Sequence, residues 1–153
     1  MNPLSGFIAA MKNTFTFRRR ARRMEYGGFL LFSFIVGFVA CVLDAMLFIE
    51  PALGETSGPL SLVATIAMFV PGITVTARRL HDIGRSAWWM LSPVAFMAIM
   101  VGLGVLSGSA EMIIPLSIAG IIFNIAFSLW LIFKDGQSGG NRWGSNPKDS
   151  LVS

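Results

Sequence analysis

Apolar positions along the chain gather into four runs, 27–49, 60–77, 88–106 and 113–133, and the charged residues fall almost wholly between and beyond them. Each run holds about 18 to 23 residues, which at ~1.5 Å per residue reaches roughly 27–34 Å, enough to cross a hydrocarbon core of ~30 Å. All four can span a membrane. The connecting segments are short, so successive helices are antiparallel neighbours in one compact bundle with no room for a second domain. The pattern predicts an all-α integral membrane protein, a four-helix transmembrane bundle forming a single domain over 1–153.

Ahead of the first run, Asn2 can cap a helix whose first turn begins at Pro3, the position proline tolerates best. Leu4, Phe7, Ile8, Met11 and Phe15 then recur at helical spacing opposite Lys12 and Asn13. This predicts a short N-terminal helix lying in the membrane interface. A frayed tail is the plainer alternative.

Composition narrows the class. The chain is 54% hydrophobic and 13% charged, with a mean hydropathy of +0.70, whereas soluble domains carry about a quarter charged residues. A soluble fold is excluded, and so is disorder, which needs low hydrophobicity. The single cysteine, Cys41, forms no intrachain disulfide, and one histidine with one cysteine cannot complete a structural zinc site of N and S ligands. No metal or other cofactor is called for. Cys41 reads as a buried small hydrophobe.

Charge sets the orientation. All 12 Lys and Arg residues fall before the first run, between the second and third, or after the fourth, while the other side carries only Glu50, Glu55 and Glu111. Basic loops stay cytoplasmic, so 1–26, 78–87 and 134–153 are assigned to the cytoplasm with both termini inside. The first run continues past Phe38-Val39-Ala40-Cys41, so a cleaved leader is not expected.

Three of the basic segments carry patterned motifs. The first runs from Phe17 through Arg18, Arg19, Arg20, Ala21, Arg22, Arg23, Met24, Glu25 and Tyr26. It is similar to an aromatic, Gly-Arg-Ala-Arg-Arg, Glu-Tyr pattern, with Arg19 where glycine is usual and Gly27-Gly28 where tryptophans are usual. The second runs from Pro71 through Arg78-Arg79-Leu80-His81-Asp82-Ile83-Gly84-Arg85-Ser86-Ala87-Trp88-Trp89, with Ala87 for a common glycine. The third, Gly140-Asn141-Arg142-Trp143-Gly144-Ser145-Asn146-Pro147, keeps the Asn-Arg-aromatic-Gly core, with Ser145 and Asn146 where Pro and Asp are usual. Together the three segments resemble one family, the small bacterial inner-membrane proteins grouped as domain of unknown function 805, which implies a multi-span protein of the bacterial inner membrane and brings with it no reaction, ligand or partner.

On the cytoplasmic side, Arg78, His81 and Asp82 stand at i, i+3 and i+4 and share one face if the second span continues as a helix. Gly84 can stop that helix and Ser86 can start the next. The plain reading is a surface ion pair between Arg78 and Asp82, a solvated His81, and Trp88 and Trp89 as interface anchors. Against it stands the preponderance of arginine over lysine. Arginine's planar fork binds phosphate bidentately, whereas lysine acts as a point charge, although a genome rich in G and C would also favour arginine codons. Segments leaving four antiparallel helices on one side converge, which makes Arg22, Arg23, Arg78, Arg79, His81, Asp82, Arg85, Asn141 and Arg142 candidate contacts for an anion. The partner is then a membrane lipid, an anionic phospholipid or another phosphorylated ligand, rather than nucleic acid. A homo-oligomer stays open.

Catalysis is not expected. There is one histidine where a two-histidine phosphatase scheme needs two, no aspartate-rich metal motif, and no Gly-x-Ser-x-Gly elbow. No catalytic residue is assigned. Within the spans, Asp44 is the lone ionisable side chain; it shares an arc with Ser33, Gly37, Ala40 and Cys41, at a depth level with Thr65 and Ser117. Asn124 lies deeper, on a stripe with Ser117, Gly120 and Ser128. A single interhelical hydrogen bond accounts for Asp44; the alternative is a small transporter, or a subunit of one, using Asp44 and a helix interruption at Pro71-Gly72, with Thr74 and Thr76 satisfying the freed carbonyls.

Overall fold

The computed structural model describes residues 2–47 and 58–145. Five α-helices follow one another: α1 (Pro3–Lys12), α2 (Arg23–Leu47), α3 (Pro59–Asp82), α4 (Leu91–Leu106) and α5 (Ala110–Phe133), with a 3-10 turn, Ala87–Met90, leading into α4. No strand occurs among the described residues; Asn141 and Gly144 form one isolated bridge. Helices α2, α3, α5 and the turn with α4 are each long and apolar enough to cross a membrane. Residues 48 and 49 of the first expected span lie outside the described residues.

The large side chains are distributed inside out. Phe34, Phe69, Leu106 and Phe133 are exposed, while the largest fully buried side chains include Arg78 and Arg79. Lipid is as apolar as leucine, so a bundle in a bilayer gains nothing by hiding its aliphatic side chains and is held by close packing and polar contacts instead. Helices α2 and α3 pack as one hairpin and α4 and α5 as another; the two meet where α3 touches the 3-10 turn and α2 touches α5.

Helix α1 forms as its cap signal predicts. Asn2 accepts from the Ser5 N–H at 2.7 Å, Ser5 returns the contact to the Asn2 backbone, and Pro3 takes the first turn. Its docking differs from the expected apolar face. Gly6 and Ala10 are buried, and a Cβ on Gly28 of α2 would lie 2.2 Å from the Pro3 carbonyl oxygen, so the two backbones touch. Phe7 and Met11 turn inward onto the core, Phe7 beside Phe29 and Phe32, while Leu4 and Ile8 stay outward.

Helix α3 runs unbroken through Pro71, which corrects the interruption expected at Pro71-Gly72. Thr74 and Thr76 bond the Val70 and Gly72 carbonyls, each one turn back, and Thr74 also donates to the Thr14 carbonyl at 2.5 Å. The helix ends as Gly84 predicts. With φ of +80°, Gly84 sends its N–H to the His81 carbonyl, and Arg85 sends its own to the Leu80 carbonyl at 2.8 Å, the two bonds of a Schellman stop.

Asp44 sits about one helical turn nearer the start of α3 than its expected level with Thr65. Its carboxylate accepts the Leu60 N–H at 2.9 Å and the Ser61 N–H at 2.7 Å. These belong to the four N–H groups that any helix start leaves open. Gly58 at the N-cap brings no side chain of its own, and a Cβ there would lie 2.3 Å from the Asp44 carboxyl carbon. The acid that caps α3 therefore comes from α2. Cys41, expected to be buried, is exposed on the flank of α2.

Candidate functional site

At the arginine-rich end α3 continues as helix beyond its apolar stretch, so the consecutive Arg78 and Arg79 leave it ~100° apart. Arg78 turns toward α2 and meets Glu25 at 2.5 Å. Arg79 turns toward α5, where its Nε–H donates to the Leu131 carbonyl at 2.7 Å and its Nη2 to the Lys134 carbonyl. Those carbonyls lie at the end of α5, which stops at Phe133, and are among the acceptors left without a partner within the helix. A cation at this negative pole is favoured by the helix dipole as well as by the hydrogen bonds. Arg79 thus caps α5 as Asp44 caps α3, each from a neighbouring helix.

Asp82 fastens the cluster. Its two oxygens take Arg79 Nη1 and, at 2.9 Å, Arg20 Nε. Arg20 donates further to the Gln137 carbonyl at 2.5 Å and the Gly139 carbonyl at 2.6 Å, and Arg79 reaches the Ala21 carbonyl at 3.4 Å. Arg20, Arg78, Arg79, Glu25 and Asp82 are all buried. Among these five residues three cations face two carboxylates; backbone carbonyls take further donors of Arg20 and Arg79, while Arg78 Nε and Nη2 are buried without a hydrogen-bond partner. A buried guanidinium without such partners would carry a desolvation penalty of several kcal/mol.

The segment after α5 closes over this network. The Gln137 N–H bonds the Asp82 carbonyl at 2.8 Å, and a Cβ on Gly136 would lie 2.2 Å from the Asp82 carboxylate, so only glycine allows this approach. Asn141 Nδ2 donates to the His81 carbonyl at 3.0 Å, and the Trp143 ring stacks on the His81 imidazole with centroids 4.6 Å apart. Arg142 lies over the same indole at 3.9 Å.

The expected convergence is present, and it brings Arg78, Arg79, His81, Asp82 and Asn141 into one cluster with Arg142 at its edge. Arg22 is half-buried, and Arg23 pairs with Asp135 at 3.2 Å on the surface. The roles differ from the expected ones. Arg78 pairs with Glu25 rather than with Asp82, and Arg78, Arg79 and Asp82 direct their polar groups into the protein, because internal carboxylates and carbonyls supply what a bound anion was expected to supply. Arg20, Glu25 and Gln137 belong to the cluster without having been singled out. The available signal was the pair of acids, Glu25 and Asp82, set among nine arginines. Asp44 and Asn124 lie away from it; Asn124 donates to the Gly120 carbonyl of its own helix at 3.0 Å and stands 3.5 Å from the Pro93 carbonyl of α4.

Beside the cluster, the helix stop at Gly84 and the segment after α5 enclose a polar pocket of about 580 Å³, lined by Arg85, Lys134, Gln137, Asp135 and Trp130 among others. Arg85 stacks over the Trp89 ring at 5.0 Å. Neither Arg85 nor Lys134 enters the ion pairs described above, while Asp135 faces Arg23. Two cations, a carboxylate and an amide are thus held around an opening.

The cluster is built from the three segments quoted above, and residues 14–145 match the family model described as "Protein of unknown function (DUF805)". The chain belongs to the DUF805 family. It is 36% identical to the inner membrane protein YhaH of Escherichia coli (strain K12) over 147 residues, covering 93% of this chain and 95% of that protein. It is 29% identical to the inner membrane protein YhaI of the same organism, covering 93% of this chain and 94% of that one. No solved structure matches the chain. This DUF805 chain is a membrane protein with four apolar helices of spanning length, related to proteins named for the inner membrane.

Proposed function

We propose that the protein turns its arginine-rich end and both termini to the cytoplasm and there holds a phosphate-bearing anion, in a structural or regulatory capacity without catalysis. Orientation rests on the placement of all 12 basic residues. The exposed Leu4 and Ile8 of α1, with Lys12 at its end, suit a helix lying in the interface, and the exposed Trp88 and Trp89 suit the same depth.

The observation that carries the anion reading is the pocket at Arg85 and Lys134. With Arg20, Arg78 and Arg79 turned to internal carboxylates, these two cations stay available, and the Gln137 amide adds a neutral donor beside them. Arg85 supplies a planar fork and Lys134 a mobile point charge, a pair suited to one phosphate group. An anionic phospholipid headgroup at the membrane surface and a soluble phosphorylated molecule share this chemistry.

Trp130 lines the pocket and Trp89 lies beneath Arg85, so occupancy is readable in tryptophan emission. Titration of detergent-solubilised protein with phosphatidylglycerol, and separately with inorganic phosphate, should give a saturable change that Arg85→Gln removes. Saturation by the lipid alone assigns a headgroup, and saturation by phosphate as well assigns a soluble phosphorylated ligand. A change that persists in Arg85→Gln, or none in either titration, contradicts the reading.

A further inference from the structure

Between the two helix hairpins lies a second, larger space. A crevice of about 770 Å³ is lined by Tyr26, Ser33 and Gly37 of α2, by α3 from Ala64 to Thr76, and by the first turns of α4 and the Asn124 to Ser128 stretch of α5. Its volume falls in the range of ~300–1,000 Å³ usual for ligand sites. The stretch from Tyr26 to Gly37 makes it roughly 16 Å long. Helix α2 packs against α5 on one side, whereas α3 meets the second hairpin chiefly through the 3-10 turn, which leaves α3 and α4 sparsely packed against each other along the crevice.

One polar group in this apolar space is out of pattern. Thr65, Thr74 and Thr76 each turn their hydroxyl back onto a carbonyl one turn earlier. Ser33 does not. Its Oγ is buried and has no hydrogen-bond partner in the protein, yet Ser33 lines the crevice. A hydroxyl held in apolar surroundings without an acceptor is destabilising, and an occupant carrying a carbonyl oxygen would remove that deficit. Gly37, one turn along the same helix and also lining the crevice, has nothing within 4 Å of where a Cβ would stand.

We propose that this crevice binds one acyl chain of a membrane phospholipid, entering between α3 and α4 from the leaflet at the arginine-rich end, with its ester carbonyl accepting the Ser33 hydroxyl. The length, the apolar lining, the sparse packing of α3 against α4 and the single unused donor each match such a chain. The inference stands apart from the anion pocket at Arg85, which has its own lining residues.

The test is native mass spectrometry of the purified full chain after stripping in detergent. Wild type should retain one phospholipid per chain. Gly37→Leu fills the open space while replacing glycine by a better helix former, and should lose the lipid. Gly102→Leu, at a position on α4 equally free of neighbours but outside the crevice, should keep it. Ser33→Ala removes a single oxygen and should weaken retention by roughly two- to tenfold, the effect of one neutral hydrogen bond. Equal retention in Gly37→Leu and wild type, a retained mass that is not a phospholipid, or no retained molecule because the crevice holds only water would each overturn the proposal.

Discussion

Arg20 and Asp82 are separated by 62 positions in the chain, and the guanidinium Nε of one lies 2.9 Å from the carboxylate of the other, both buried. Through its second oxygen Asp82 also holds Arg79, which caps the end of α5. One carboxylate thereby ties the segment before α2, the end of α3 and the end of α5 into a single unit. The arginine-rich end is a fastening made of charge, set beside the small apolar core of Tyr26, Phe29, Val75, Leu80 and Leu131.

Removing that carboxylate should be expensive. Asp82→Asn leaves two buried guanidiniums short of their counter-charge and should lower unfolding stability by about 3–5 kcal/mol. Arg23→Gln breaks an exposed pair with Asp135 and should cost only about 0–1 kcal/mol. Denaturant titration of both variants in the same micelle checks the contrast, and equally small losses would mean that the network does not hold the bundle.

The cap that α2 lends to α3 makes a coupled prediction. Gly58→Ala should lower Tm in the wild-type background, where its Cβ collides with the Cβ and carboxyl of Asp44, and should be far better tolerated in Asp44→Gly, where both are gone. Asp44→Asn keeps one of two acceptor oxygens and should melt between wild type and Asp44→Leu. A double-mutant cycle in detergent reads the coupling; additive losses would place Asp44 away from the Gly58 turn.

Much of this architecture was legible in the chain, and what escaped has a physical reason. The four spans, the Asn2 cap and the Gly84 stop are local signals, each written in a few neighbouring residues. The division of labour among the arginines is not local. Arg79 and Arg85 are chemically identical, and what separates them is that one faces the carbonyls at the end of α5, backbone groups that carry no residue type, while the other emerges past a left-handed glycine. Asp44 was placed too deep because α3 starts at Pro59, and the level of one helix against another depends on a turn that hydropathy does not specify. The close contact of α1 with α2 was not legible because it is marked by small residues, Gly6 and Gly28, with only Phe7 and Met11 of the apolar stripe turned onto the core.

Orientation is open to a direct check. Alkaline phosphatase fused after Ser109 should be active, and fused after Gly84 or Gly139 inactive, if the proposed orientation, with the basic segments in the cytoplasm, holds. Activity at Gly84 would reverse the bundle and detach the anion reading from the cytoplasmic leaflet.

The central claim is that Arg79 serves the fold and Arg85 serves a ligand. Thermal unfolding of wild type, Arg79→Lys and Arg85→Lys in phosphatidylcholine and in phosphatidylglycerol micelles separates the two roles, since lysine keeps the charge and loses the fork. Arg79→Lys should lower Tm in both lipids alike and preserve the extra stabilisation that phosphatidylglycerol gives. Arg85→Lys should leave Tm in phosphatidylcholine near wild type and lose most of that extra stabilisation. The reverse assignment, with the lipid-specific shift abolished by Arg79→Lys and retained by Arg85→Lys, would contradict the account.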